Sequence, residues 1–370
     1  MGAESLARRE RVHREVVAAC YEGLDSLALR RRTLELFAHA VPIDADFFAT
    51  TDPVTLLHTS AISTGLPTES SSRFLHNELA EADVNKFRSL AHARTPVDGL
   101  DRVTGGDRLS SPRYAEILRP LGFGDELRAA LRTRNGCWGV LCLHREDAAS
   151  GFTAEEAEFL STLVPHLAEG LRRTVLAECA AVSEAQDGPG VALIDEEGGL
   201  AAATPAAARW LAELADADRP RREGLPIAAL AVLERLWAID TGEAVGDKAI
   251  PRVTTRTAAG RWVVLHASRL TGPTAKPQAT LVIEPAGPLH LAETIIAALG
   301  LTPRESDITE RLLRGLPVKR IATECQISPH TVRDHCKAIF DKVGVNSRSE
   351  LAATVFRMTS ASSPVLRPAS

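Results

Sequence analysis

Residues 329–343 combine an apolar stripe with a polar face. The apolar positions recur at the spacing of one side of an α-helix and are Val332, Cys336, Ile339, Phe340 and Val343. The opposite side carries His330, Arg333, Asp334, Lys337 and Asp341. Arginine and lysine can donate to guanine O6 and N7, and aspartate can accept from cytosine N4. This layout suits a helix in the major groove of DNA, although an ordinary amphipathic surface helix has the same pattern.

The start of this helix offers a place for a phosphate group. Ser328-Pro329 predicts an N-cap followed by proline at the first helical position. The free N–H groups at a helix N-terminus point outward and attract anions. Ser328 and Thr331 are therefore placed to contact the DNA backbone, a contact that positions a protein without reading sequence.

A second group of residues, Cys137, Cys142 and His144, has side chains suited to redox or metal chemistry and lies on one predicted strand. Side chains alternate along a strand, so Cys142 and His144 should face the same side, while Cys137 and Cys142 should face opposite sides. A metal or a haem would need further ligands, which the sequence does not place. Core thiols and a histidine at a strand end are favoured, with a redox or haem-type sensor as the alternative.

Catalytic groups are sparse. Asp125, Glu126 and Arg128 could form an acid–base cluster, but their position favours a solvated turn at the start of a strand. The chain has no nucleophile elbow, P-loop or HExxH motif. Without a catalytic constellation we expect no enzyme activity, no metal and no cofactor.

Composition indicates several folded domains. The 370 residues are 45% apolar and 25% charged, as in ordinary globular proteins. The chain lacks a long apolar run and a secretory signal, and its six cysteines form no CxxC pair, so we expect a cytoplasmic protein without membrane contact. Residues 301–358 hold ten lysines and arginines against seven aspartates and glutamates, a net charge of +3 that leaves −8 for the remainder. A basic module of this kind suits a polyanion partner.

Periodicity and turn signals predict the elements before this module. They are helices over 4–40 and 76–91, a long loop over 94–112, a short helix over 114–118, and strands over 47–52, 55–63, 125–133 and 136–146. Asn135-Gly136 between the last two strands is a hairpin signal.

A capping box of Thr153 and Glu156 predicts the start of a helix that runs to about residue 182. Its apolar positions are three or four residues apart, which permits a coiled coil between two copies of the chain. The same spacing would let the helix cover the sheet of its own domain. Both alternatives stay open at this point.

A further α+β segment follows a linker over 184–190. The sequence predicts strands over 190–199, 262–270 and 279–286, a helix that begins at Thr204-Pro205, and a helix over 227–240.

The last part of the chain is predicted to be helical from residue 289 onward. Its four last helices are predicted over 303–314, 318–325, 329–343 and 347–358. Thr302 with Glu305, and Ser347 with Glu350, predict capping boxes, and Gly315 and Gly344 stand where helix C-caps belong. The connection over 326–328 is as short as a helix-turn-helix requires.

The segments LTPRESDI, LLRGLPVKRIA and CQISPHTVRDHCKAIFDKVGVNSRSEL resemble the LuxR-type helix-turn-helix of bacterial transcription regulators. The resemblance implies a four-helix domain whose third helix reads the major groove and whose fourth helix pairs with a second copy. It makes His330, Arg333, Asp334 and Lys337 the candidate base-reading residues. The candidate phosphate contacts are Lys319, Arg320, Ser328, Thr331 and Lys342.

Three residues depart from the family pattern. Pro317 stands where a serine or threonine cap is common, and the loss of such a cap costs about 1 kcal/mol. Arg320 replaces a common acidic residue and adds positive charge. Cys336 replaces a larger aliphatic residue, which predicts looser packing under the third helix.

Two weaker resemblances cover the N-terminal part. The segments PLGFGDELRAALRTRNGCWGVLCLHRED and GFTAEEAEFLSTLVPHLAEGLRR resemble the GAF-type sensor segment of actinobacterial LuxR-type regulators. The segments GPGVALIDEEGGLAAATPAAARWLAEL and RWVVLHASRL resemble a degenerate PAS-like domain. Both folds wrap helices around an antiparallel sheet and can enclose a pocket, and neither dictates a ligand.

The expected fold is therefore multi-domain, with two α+β sensor-like domains followed by an all-α helix-turn-helix domain. The predicted boundaries are 1–182 for the GAF-like domain, 187–288 for the PAS-like domain, 289–358 for the helix-turn-helix domain and 359–370 for a disordered tail. We expect a sequence-specific, dimeric transcription regulator. Its expected partners are double-stranded DNA, a second copy and a small-molecule effector, with RNA polymerase as a further candidate.

Overall fold

The computed structural model describes residues 3–147, 150–179, 188–214, 225–242, 250–270 and 278–360. The expected class is confirmed, since two antiparallel α+β units precede a helical one. No helix in these described ranges is both long and apolar enough to span a bilayer.

The first domain contains one five-stranded antiparallel sheet of order β2-β1-β5-β4-β3. Its strands are β1 (Ala45–Thr51), β2 (His58–Thr64), β3 (Val97–Gly99), β4 (Phe123–Thr133) and β5 (Gly136–Glu146). Its helices are α1 (Ala3–Tyr21), α2 (Ser26–Ala38), α3 (Ser70–Ala80), α4 (Phe87–His92), α5 (Leu100–Thr104) and α6 (Ala154–Cys179), with short 3-10 and π segments at Arg108–Ser110 and Tyr114–Leu118. The predicted hairpin is confirmed, because Thr133 pairs with Gly136.

Two helix predictions for this domain are wrong. The single helix over 4–40 is in fact α1 and α2, because Gly23 has a φ of +81° and the Asp25 side chain caps the second helix at the backbone N–H of Ala28, 2.8 Å away. The helix over 76–91 is in fact α3 and α4. The predicted loop over 94–112 contains the short elements β3 and α5, which the polar, glycine-rich sequence concealed.

The long helix α6 covers the sheet of its own domain. Leu160, Leu163, Leu167 and Leu171 are buried in the same apolar cluster as the sheet residues Leu127 and Leu141. The predicted capping box is confirmed, since Thr153 N donates to Glu156 Oε2 at 2.9 Å and Glu156 N donates to Thr153 Oγ1 at 3.2 Å. Residues 180–182 of the predicted helix lie outside the described residues.

The second domain repeats the strand order of the first. Its sheet has the order β7-β6-β10-β9-β8, built from β6 (Gly190–Ile194), β7 (Leu200–Ala203), β8 (Arg252–Arg256), β9 (Trp262–Leu270) and β10 (Gln278–Pro285). Its helices are α7 (Pro205–Glu213) and α8 (Ile227–Asp240). The predicted N-cap is confirmed, because Thr204 Oγ1 accepts from Ala207 N at 3.2 Å. The short strands β7 and β8 were not predicted.

The two sheet domains share apolar packing. Phe87 and Leu75 of the first domain belong to one cluster with Val232 and Leu236 of α8. A buried carboxylate joins the same junction, since Asp52 Oδ2 accepts a hydrogen bond from the backbone of Thr254 at 2.9 Å. Burial raises the pKa of Asp52 despite its backbone hydrogen bonds.

The helical unit consists of α9 (Pro288–Ala298), α10 (Pro303–Leu313), α11 (Val318–Glu324), α12 (Pro329–Val343) and α13 (Arg348–Ser360). The predicted caps at Thr302 and Ser328 are confirmed, and Gly315 and Gly344 have φ values of +87° and +74° as C-caps require. The last helix extends two residues into the predicted tail, and the remaining residues 361–370 lie outside the described ones.

The capping box of α10 predicts a measurable effect on stability. Thr302 Oγ1 accepts from Glu305 N at 3.2 Å, and Glu305 Oε2 accepts from Thr302 N at 2.7 Å. We expect Thr302→Ala to lower the free energy of unfolding of the helical unit by about 1 kcal/mol, because it leaves a helix N–H without its acceptor. Urea denaturation measures the change. Thr302→Ser keeps the acceptor oxygen and serves as the control, and equal stability of the two variants would contradict the assignment.

Candidate nucleic-acid interface

The apolar stripe of α12 fixes how this helix is oriented. Val332 and Ile339 are fully buried in a cluster with Ile308 of α10, Ile321 of α11 and Leu351 of α13. The predicted residues Cys336, Phe340 and Val343 pack at the edge of the same cluster and are half-buried. The opposite side of α12 must therefore face solvent.

The solvent face of α12 carries all the predicted base-reading residues. His330, Arg333, Asp334 and Lys337 are exposed. Asp334 is engaged within the helix, because its Oδ2 lies 2.9 Å from His330 Nδ1. Arg333 and Lys337 have no ion-pair partner among the described residues. Two cationic side chains one turn apart are thus available to a ligand.

The predicted phosphate contacts lie around this helix with different local partners. Ser328 Oγ accepts from Thr331 N at 3.0 Å, which fixes the N-terminus of α12. Lys319 is exposed on α11. Arg320 is also exposed, and its Nε donates to Glu324 Oε1 at 3.1 Å.

Lys342 differs from the other predicted phosphate contacts. Its Nζ donates to both carboxylate oxygens of Glu305, at 2.6 and 2.9 Å. Burial raises the pKa of Glu305, but the hydrogen bonds from Lys342 and Thr302 outweigh it and hold that pKa below its usual range. A phosphate would have to compete with this ion pair for the ammonium group.

The prediction from sequence did not identify the arginines that hold the helical unit together. Arg348 Nη1 donates to the carbonyl of Leu316 at 3.0 Å, and Arg311 Nε donates to Glu324 Oε2 at 3.2 Å. These guanidinium groups tie helix ends to one another and leave less charge for DNA. A surface groove of about 460 Å³ lies beside Cys336, where the sequence predicted looser packing.

A second polar site lies inside the first domain. Asp125, Glu126 and Arg128 are buried, with relative exposures of 2%, 1% and 4%, so the prediction of a solvated turn is wrong. The reason is that β4 lies inside the sheet, between β5 and β3, and that helices α4 and α6 pack against it. Arg113, which the sequence did not single out, is 1% exposed beside them.

These residues form a buried ionic network. Arg113 Nε donates to Glu126 Oε2 at 2.8 Å, and its Nη1 lies 3.5 Å from Asp83 Oδ2. Arg128 Nη2 donates to Glu78 Oε2 at 2.8 Å. Burial alone would raise the pKa of Glu126, but the two guanidinium groups lower it to about 2. The network therefore keeps its charges in the folded chain.

Cys142, His144 and Glu126 meet at this network, with ligand atoms within 4.8 Å of one another. Burial raises the pKa of Cys142 to about 12, so the thiol is protonated. The guanidinium groups of Arg113 and Arg128 oppose a further cation here, because like charges in a buried site repel strongly. This surrounding charge does not favour a metal ion.

The predicted orientation of Cys137 is wrong. Both Cys137 and Cys142 pack in the same apolar cluster rather than on opposite faces. Leu131 pairs with Gly139 and Arg132 with Cys137, so β5 contains one extra residue at Trp138. Such a bulge reverses the alternation of side chains beyond it. All six cysteines are free thiols.

Mild acid is expected to destabilise the first domain. Burial lowers the pKa of His144 to about 4 and that of His58 to about 3, so both are neutral in the folded chain. The unfolded chain takes up protons near pH 6.5, so the free energy of unfolding falls as the pH drops from 6.5 toward 4. For each histidine we expect up to about 1.4 kcal/mol per pH unit. Urea denaturation at several pH values measures this slope.

The variants for this test are matched. His144→Phe removes one titrating group and should flatten the slope, whereas His39→Gln, at an exposed position of the same domain, should leave it unchanged. A slope that is the same in His144→Phe as in the parent chain would contradict the account.

The helical unit is similar to a family of known proteins. Residues 299–355 match the bacterial regulatory proteins of the luxR family. The spore germination protein GerE of Bacillus subtilis is 40% identical over 58 residues, which are 16% of this chain and 78% of GerE. The chain belongs to the luxR family. Residues 56–171 of this luxR-family protein match the GAF domain.

Other similarities of this luxR-family protein are partial. The transcriptional regulatory protein UhpA of Escherichia coli is 43% identical over 56 residues, and the match spans 15% of this chain and 29% of UhpA. A crystal structure of the GAF domain from an Acinetobacter phosphoenolpyruvate-protein phosphotransferase overlaps 47% of the chain and 95% of that domain, with 17% identity and a TM-score of 0.32.

Proposed function

We propose that this protein is a sequence-specific DNA-binding transcription regulator whose helix α12 enters the major groove. The observation that supports this most directly is the pair of exposed cations, Arg333 and Lys337, on a helix whose other side is anchored in the core. Either side chain can donate to guanine, and Asp334 and His330 supply further donors and acceptors for neighbouring base edges.

We also propose that residues around α12 contact the DNA backbone. Ser328 and Thr331 meet one phosphate at the N-terminus of α12, and Lys319 and Arg320 meet others from α11. Lys342 reaches a phosphate only by leaving Glu305, so it contributes less than Lys319.

The regulator acts as a homodimer through α13. Phe356 on this helix is 60% exposed, while Leu351 and Val355 face the core. Aromatic side chains are enriched at protein–protein interfaces, so the exposed Phe356 suits a contact with a second copy. The alternative of a coiled coil through α6 is less favoured, because that helix packs its leucines against its own sheet.

The N-terminal part acts as a sensor of a small molecule. The match to the GAF domain supports this role for residues 1–182. The second sheet has the same strand order as the first, and this supports a second sensor-like unit over 187–288, for which we keep the PAS-like assignment. The helix-turn-helix unit then covers 289–358. Such a regulator works beside DNA and RNA polymerase in the cytoplasm.

The direct test is binding of the full chain to fragments of bacterial genomic DNA. Fluorescence anisotropy or gel shift should detect a subset of fragments bound far more tightly than the rest. Equal binding to all fragments would remove sequence specificity, and no binding at low salt would remove the DNA-binding function altogether.

Salt dependence separates backbone contacts from base contacts. We expect Lys319→Ala to weaken binding to every DNA sequence alike and to reduce the slope of log K against log salt by about one unit, because one phosphate contact is lost. Titrations at several salt concentrations measure both quantities. Arg102→Ala, at an exposed position of the first domain, is the control with an unchanged slope. A loss confined to one DNA sequence would contradict a backbone role for Lys319.

A further inference from the structure

A cavity of about 1110 Å³ lies where the three units of the chain meet. Its walls come from the β1–β2 connection, α3, α4 and the β4–β5 hairpin of the first domain, from α8 of the second, and from α9 and α10. Small-molecule sites are concave and mostly apolar, with a few polar groups that fix orientation. Leu57, Leu79, Phe87, Ala231 and Ile296 supply the apolar part of this wall.

The acidic residues of the wall are already neutralised. Each of the four carboxylates has an arginine partner that does not itself line the cavity. The pairs are Glu78 with Arg128 at 2.8 Å, Glu293 with Arg252 at 2.7 Å, Asp307 with Arg304 at 3.3 Å and Glu310 with Arg314 at 3.9 Å.

Several basic residues of the wall have no such partner. Lys86, Arg132, Arg134 and Arg235 line the cavity, and in the part of the chain that the structure describes none of them forms an ion pair. Arg132 Nη2 donates only to backbone carbonyls, at 2.7 Å to that of Ala93. The wall is therefore left with unbalanced positive charge.

Two buried polar groups on the wall lack hydrogen-bond partners. Arg235 is 8% exposed, and its Nε has no partner in the described residues. His58 is 6% exposed, and the same holds for its Nδ1. A buried guanidinium without an anion carries a large desolvation penalty. Burial, and secondarily the nearby Arg88, lower the pKa of Arg235.

We propose that this cavity binds a small organic anion, with an oxyanion held by Arg235 and an apolar body packed against Phe87. The planar guanidinium matches a carboxylate or a phosphate, and Lys86 adds charge at the same wall. The proposal names the chemical class of the effector that the proposed sensor function requires.

The same cavity reaches the DNA-binding unit. Pro303, Ser306, Asp307 and Glu310 of α10 form one of its walls, and α10 packs against α12. A ligand in contact with both α8 and α10 stabilises one arrangement of the sensor domains relative to the helix-turn-helix. Anion binding therefore changes DNA affinity, and DNA changes anion affinity by the same factor. This coupling rests on the proposed DNA-binding function, whereas the anion site does not.

Four probes with one aromatic body test the site: naphthoate, naphthyl phosphate, naphthol and naphthylmethylamine. Isothermal titration calorimetry on the full chain should detect at least one of the two anions, and the neutral and cationic probes should bind at least tenfold more weakly. The ratio of the two anion affinities identifies the preferred oxyanion. Failure of both anions to bind at millimolar concentration, or equal binding of naphthol, would overturn the proposal.

Matched variants locate the binding. Arg235→Met keeps the length of the side chain and removes its charge, and it should weaken anion binding about ten- to a hundredfold. Arg269→Met is the control, because Arg269 belongs to the same domain and stacks on Trp237 at 3.9 Å outside the cavity. Unchanged anion affinity in Arg235→Met would overturn the assignment.

A thermal melt distinguishes this role from a structural one. If Arg235 is kept for a ligand, Arg235→Met should raise the Tm of the ligand-free chain, since it removes an unpaired buried charge. A structural arginine would lower the Tm on substitution, and that result would contradict the proposal. DNA titrations with and without the bound anion then test the coupling alone, so a chain that binds the anion but not DNA would refute the proposed function and leave the site standing.

Discussion

Replacement of Arg113 by alanine is expected to lower the free energy of unfolding of the first domain by about 3–5 kcal/mol. The side chain is 1% exposed and lies between the carboxylates of Glu126 and Asp83. Removing one partner of a buried ion pair leaves the others charged in a medium that solvates them poorly, which is why the effect far exceeds that of a surface pair.

Hydrogen exchange followed by mass spectrometry measures this effect domain by domain, which matters because a chain of several domains need not unfold in one step. Peptides from β4 and β5 should lose protection in Arg113→Ala, while peptides from α12 keep it. Arg102→Ala breaks an exposed i,i+4 pair with Asp98 and should change the stability by less than about 1 kcal/mol.

A double variant makes the result decisive. Glu126→Gln removes the charge that Arg113 neutralises. The double variant should therefore lose less free energy of unfolding than the two single variants lose together. Additive effects would mean that Arg113 acts through packing of its stem, and the ionic explanation would then fall.

Arg333→Ala should weaken binding to the preferred DNA sequence by about 1–3 kcal/mol, roughly five- to 150-fold, and should relax the preference at one base pair. The reason is that the variant loses two donors to the edge of one base. Its affinity for DNA of random sequence should change little. Arg333 is exposed and has no ion-pair partner among the described residues, so the substitution disturbs little inside the protein.

Competition between the preferred sequence and single-base variants measures this relaxation. Arg333→Lys keeps the charge but not the planar fork, and should retain general affinity while losing part of the discrimination. If Arg333→Ala weakens all DNA sequences equally, then Arg333 contacts the backbone and α12 is docked differently from our proposal.

The helix-turn-helix was predictable from sequence because its determinants are local. The predicted and observed bounds of α12 agree at Pro329 and Val343, since a cap, a proline, an apolar stripe and a C-terminal glycine all act within a few residues of the helix. The exposed face followed from the same stripe.

The ionic network was not predictable for the opposite reason. Arg113 meets Asp83, and Arg128 meets Glu78, across 30 and 50 residues of sequence. The charged neighbours of Glu126 in sequence, Asp125 and Arg128, favour an exposed position. The fold alone brings together the distant partners that make their burial tolerable. The prediction for the orientation of Cys137 was wrong because it assumed strict alternation of side chains along β5. The sequence does not show the one inserted residue that breaks this alternation.

The shared packing between the two sheet domains bears on how this protein should be dissected. Leu75 and Phe87 belong to the same apolar cluster as Val232 and Leu236 of the second domain. Asp52 accepts a hydrogen bond from the backbone of Thr254, which also belongs to the second domain. A fragment that stops after α6 would expose this apolar surface and would leave the Asp52 carboxylate without its donor from Thr254. Both changes favour aggregation. Point substitutions within the intact polypeptide are therefore the sounder way to assign tasks to either half.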